Sequence, residues 1–171
     1  MIRPIRAVGP AALACLPILF AAPVQAQSTD CITPSESQAV VAYLMPELVR
    51  RVEARCTPLL GGGGFLAGEA DALAQRVSPL SEASGPLAIR ALERQSGTAL
   101  PDNAVLLSLG RQALAEGVAQ QMDDTACRAA DRLMAELDPL PPRNLANLVA
   151  LAIETGLNSD PDSPIKVCPA P

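Results

Sequence analysis

Cys31, Cys56, Cys127 and Cys168 are spread over nearly the whole chain, and they constrain its fold more than any other feature. They are what remains of five cysteines once an N-terminal leader is set aside. Arg3 and Arg6 give that leader a positive start, and an apolar run follows from Ala11 through Phe20 to Ala22. Val24-Gln25-Ala26 then places small residues at cleavage spacing, so residues 1–26 read as a signal peptide and Cys15 leaves with it. An even set of four cysteines in an exported chain predicts two disulfides. A lipoprotein anchor at Cys15 is a poor fit, because the apolar run ahead of it is short and begins at Gly9-Pro10. An uncleaved anchor is a poor fit too: the stretch from Ala11 to Val24 falls short of the ~20 residues that span a bilayer, and Pro17 and Pro23 interrupt it.

The cysteines read as staples, not chemistry. No C-x-x-C spacing is present, and the chain has no His to complete a zinc set. Their pairing can be narrowed from helix length. A helix from Pro34 to Arg55 would be about 33 Å long at ~1.5 Å per residue. Disulfide Cα atoms lie about 4.4–6.8 Å apart. A Cys31–Cys56 link is therefore disfavoured. Two connectivities stay open: Cys31–Cys127 with Cys56–Cys168, or Cys31–Cys168 with Cys56–Cys127.

Removing 26 of the 171 residues leaves 145, enough for one domain with a real core. Arg3 and Arg6 leave with the leader, so 11 basic residues face 18 acidic ones, and the basic residues are scattered. Neither nucleic acid nor an anionic membrane surface suits such a chain as partner. Trp is absent, and beyond the leader only Tyr43 and Phe65 are aromatic, so sugar or base stacking has little to rest on.

Helical periodicity runs through the rest. Thr33, Pro34 and Glu36 form a capping-box start, and Val41, Leu44, Leu48 and Val52 follow at the spacing of one helical face. Pro46 should kink this helix without ending it, because the apolar face continues in register. Cys56, Pro58 and Gly61 to Gly64 should form a flexible break. A second helix carries Leu66, Ala70, Leu73 and Val77 inward and should stop at Ser78-Pro79. After a loop at Ser81 to Gly85, Pro86 should open a short helix with Leu87, Ala91 and Leu92, ended by Gly97. Asp102 or Asn103 caps an apolar helix from Ala104 to Gln121. Asp123 and Asp124 start a fifth, with Ala126, Ala130, Leu133 and Leu137 inward. Pro142 opens the last, with Leu145, Leu148, Val149 and Ala152 inward and Gly156 as its stop. No strand alternation appears. The expected fold is all-α: a single bundle of five or six short helices over residues 27–156, with an irregular acidic tail, 157–171, tethered by Cys168.

Motifs that carry chemistry are scarce. Gly62-Gly63-Gly64-Phe65-Leu66-Ala67 loosely matches a dinucleotide fingerprint but lacks the preceding strand, so it reads as a connector. Asn158, Asp160 and Asp162 mimic the start of a calcium loop, yet Ser163 and Pro169 stand where its Gly and Glu belong. No Ser nucleophile has a base available. No catalytic, cofactor or metal residue is assigned. The apolar helix carries a bulky stripe, Leu107, Leu114 and Val118, beside a small one, Gly110, Ala113 and Gly117. The small stripe should admit a neighbouring helix of the same domain, or else a partner or second copy. The functional expectation is an exported helical protein, periplasmic or secreted, that binds a protein or small apolar ligand or serves a structural role. The alternatives are a carboxylate-dependent enzyme acting on cell-envelope material and a subunit of a helical homo-oligomer.

Overall fold

The computed structural model describes residues 31–159 and 167–168. The expected signal peptide, residues 1–26, lies outside them, as do Asp160, Asp162, Ser163 and Pro169 of the calcium-like stretch. Five helices form: α1 (Pro34–Leu59), α2 (Phe65–Ser96), α3 (Ala104–Gln120), α4 (Asp124–Leu137) and α5 (Pro142–Ser159). The described residues contain no strand, only an isolated parallel bridge between Ile32 and Val167. No helix among them is long and apolar enough to cross a membrane.

Helix α1 begins as its sequence predicts. The Thr33 backbone N–H donates to Glu36 Oε2 at 2.9 Å, and Glu36 N–H donates to Thr33 Oγ1 at 3.3 Å. The helix passes through Pro46 and ends four residues later than expected, so Cys56 and Pro58 belong to its last turn and not to a break. Its end is a Schellman motif: Gly62 N–H donates to Thr57 O at 2.9 Å and Gly61 N–H to Pro58 O at 3.4 Å. Gly61 and Gly62 have φ of +71° and +77°, which is why glycines stand there.

The next departure is larger. Ser78-Pro79 does not stop a helix and Pro86 does not open one; α2 is one helix of 32 residues containing both prolines. The buried face explains it. Leu66, Ala70, Leu73, Val77, Ser81, Gly85, Ala88 and Ala91 keep helical spacing through both prolines, and all are buried. Both prolines face outward, so their rings do not disturb the face that packs on α1. The helices α1 and α2 form the most extensive pair in the molecule. They run antiparallel, with Ser81 Oγ of α2 donating to Tyr43 O of α1 at 2.8 Å.

The glycine run carries the turn between them, and α4 supplies its missing cap. Gly64 has no side chain to cap α2, and Asp131 Oδ1 accepts from Leu66 N–H at 2.8 Å instead. Cys56 bonds to Cys127 and Cys31 to Cys168, each with a Cα–Cα distance of 5.2 Å. The second of the two open connectivities is thus the one adopted, and no Cys31–Cys56 link forms. Cys127 is fully buried beside Ala130 and Met134, which pack on the core. Cys168 N–H also donates to Ile32 O at 2.9 Å, so the tail is fastened to the start of α1.

Some inward assignments differ. In α4, Leu133 is exposed and only Cys127 is fully buried. In α5, Leu145, Ala146 and Ala150 are buried, whereas Leu148 and Ala152 face out. That helix continues three residues past Gly156, so Asn158 lies in its last turn. A helix resting on the side of a two-helix hairpin needs only a narrow contact stripe, and small residues let it approach closely.

Candidate functional site: an apolar groove beside α3

Helix α3 is apolar on nearly every side, with Arg111 and Glu116 its only charged residues. An all-round apolar helix is normally enclosed. This one is not. Only Ala115 and Ala119 are buried, while Leu114 and Val118 each remain 51% exposed. Gly110, Ala113 and Gly117 are all exposed, Gly110 within the lining of an apolar cavity, and a Cβ added at Gly110 or Gly117 would meet nothing within 4 Å. The expected packing of an internal helix on this small stripe does not occur. The two buried alanines do that job against α1.

The bulky stripe has another place. Leu107 and Leu114, with Arg111 one turn from each, form one wall of a cavity of about 210 Å³. Tyr43 and Leu44 of α1 form the opposite wall, and Ile89 and Leu92 of α2 contribute to its lining. Leu100 and Pro101 of the α2–α3 connection close one end. That connection is pinned, because Leu100 N–H donates to Glu93 Oε1 at 2.9 Å. A second apolar cavity, also about 210 Å³, shares Leu44 and Leu114 with the first and continues along α1 and α3 to Val118 and to Ile153 of α5. The two cavities, adjoining at these shared side chains, form an apolar groove along α1 and α3. Small-molecule sites are typically concave, largely apolar and carry few polar groups.

Arg111 is the cation of this groove. Its guanidinium carbon sits 5.1 Å from the centre of the Tyr43 ring, a cation–π distance. Gly85 leaves room behind that ring: a Cβ there would touch the ring carbons at 3.6 Å. Arg111 Nη1 lies 3.5 Å from Ser81 Oγ, whose own proton is given to Tyr43 O. Arg111 Nε is buried without an acceptor. No carboxylate pairs with Arg111 among the described residues.

The other flank of α3 shows the contrast. There Arg51 reaches Glu47 at 2.8 Å, Glu116 at 3.4 Å and Gln112 at 3.4 Å. The Glu47 carboxylate pushes the Arg51 guanidinium up from its ordinary value. Near the start of α1, Arg94 bonds Glu36 at 2.6 Å and helps hold its carboxyl down to about 2. A general acid needs the opposite shift.

The stripe Leu107, Leu114 and Val118 is legible in the sequence, but not that it lines a cavity. Arg111 was missed. Its signal was its spacing, four residues after Leu107 and three before Leu114, within an otherwise apolar stripe. The described residues hold no cluster of three or more metal-ligating side chains. Comparison with protein families, curated proteins and solved structures finds no match to this chain.

Proposed function

We propose that this is an exported helical binding protein that takes an apolar small molecule in the groove between α1 and α3. One observation carries the reading: the bulky stripe of α3 lines a walled concavity instead of completing the core. Two disulfides suit a protein exported to an oxidising compartment, periplasmic or external, and they brace the two ends of α1. Glu36, ion-paired and held down to about 2, is unsuited to be the general acid that the alternative, a carboxylate-dependent enzyme, requires.

Decanol is a suitable neutral probe. It should bind saturably to the native, disulfide-bonded chain in a calorimetric titration. Gly110→Leu places a side chain in the first cavity and should abolish that binding. Gly117→Leu, which is not among the residues lining either cavity, should leave it intact. Equal binding by both variants would count against the groove.

A second reading has its own support. The outward face of α3, with Leu109, Ala113 and Gly117, carries no charge. Such a face suits a docked helix, from a partner or a second copy. In that case Gly117→Leu would alter the assembly state of a chain that still folds.

A further inference from the structure

We propose that the groove's ligand is an aliphatic monocarboxylate, held by its headgroup at Arg111 with its chain along the α1–α3 wall. The proposal rests on the groove reading above and adds the chemical class of what fills it.

The chain is acidic overall, with 18 acidic residues against 13 basic ones. Arg55, Arg90, Arg132 and Arg143 also lack a carboxylate partner among the described residues, but all four are exposed, whereas Arg111 is half-buried. Arg111 stands against apolar side chains and the face of Tyr43, with no carboxylate partner among the described residues. The acids nearest along the same helices, Glu47 and Glu116, are held by Arg51 on the opposite flank of α3. Apolar surroundings lower the local dielectric, so an anion arriving at Arg111 gains more than it would at an open surface.

Orientation adds to this. The guanidinium carbon lies over the Tyr43 ring and Nη1 reaches Ser81 Oγ at 3.5 Å, two contacts that orient the fork. A planar, preset fork matches a carboxylate in two parallel hydrogen bonds. A lone cation matches one negative charge, which favours a carboxylate over a phosphate dianion. The remaining walls are hydrocarbon. Leu114 and Leu44 border both cavities, and the second also takes in Val118 and Ile153. That shape fits an unbranched alkyl chain.

The test compares decanoate, decanol and decyltrimethylammonium on the full native chain at neutral pH, below the concentration at which each aggregates. Decanoate should bind at least about tenfold more tightly than decanol, the strength of a charge-assisted hydrogen bond. Decyltrimethylammonium should bind most weakly. Arg111→Met should remove the preference for decanoate while keeping decanol affinity, and Arg111→Lys should restore part of it. Equal affinity for decanoate and decanol in the unaltered protein would overturn the headgroup assignment and leave the groove standing. A preference for decanoate that survives Arg111→Met would also overturn it. If no probe binds, the groove reading itself fails. The comparison on the unaltered protein decides the matter even where the Met variant does not fold.

Discussion

Glu36 shows how much one side chain contributes here. It closes the capping box of α1 and pairs with Arg94 near the end of α2, and its side chain is only 12% exposed. Its carboxyl is held down to about 2 from the ordinary 4.5, first by the hydrogen bond from Arg94, against an opposing effect of burial. The unfolded chain therefore takes up a proton before the folded one does. The stability this pair contributes is complete above about pH 4.5 and is lost as the pH falls toward 2. Denaturant titrations of the native protein and of Arg94→Ala should differ at neutral pH and converge through that window. A gap that stays constant down to pH 2 would show that the pair does not couple to folding. Two glycines make a second contrast. Gly117 is exposed in mid-helix with open space around it, so Gly117→Ala should raise stability by about 0.5–1 kcal/mol. Gly64 has φ +99°, and a Cβ there would lie 2.6 Å from the Asp131 carboxylate, so Gly64→Ala should cost about 1–3 kcal/mol. Thermal melts of both variants check the two signs.

At the scale of the helix, α2 is where local rules and packing disagree. Pro79 and Pro86 each remove a backbone donor, and a sequence reading takes each as a boundary. The apolar register runs through both, from Leu66 to Ala91, and burial against α1 prevails over two lost hydrogen bonds. The apolar face of α1 likewise continues in register across Pro46, and that helix is unbroken. Because Pro79 faces solvent within the helix, Pro79→Ala should restore a hydrogen bond and raise stability by roughly 1 kcal/mol or more. Unchanged or lower stability in urea unfolding would mean that the chain breaks there. Caps, by contrast, were legible residue by residue: Thr33, Asn103 and Asp123 accept the backbone bonds their positions imply. The cap of α2 was not legible, because Asp131 comes from another helix, 65 residues away.

Across the whole molecule, the cysteines narrowed the topology and the helix count did not. A long α1 excludes a Cys31–Cys56 link, but choosing between the remaining pairings needs the direction of every helix. The two prolines of α2 obscured that direction. The adopted pairs brace the two ends of α1, one fixing α4 to the hairpin turn and the other fixing the tail to the N-terminus of α1. The groove was legible only in its parts. Periodicity marks the stripe of Leu107, Leu114 and Val118 as facing other groups, and cannot say whether those groups fill the space or leave a cavity. That depends on how α2, the 97–103 connection and Ile153 frame it. Methyl NMR of the native protein during titration with decanol tests the groove most directly. A ligand in the groove gives saturable shifts at Leu44, Leu107, Leu114 and Val118, with Leu133, Leu148 and Leu151, exposed elsewhere, unmoved. Shifts that do not saturate, or that appear equally at those three leucines, would contradict it.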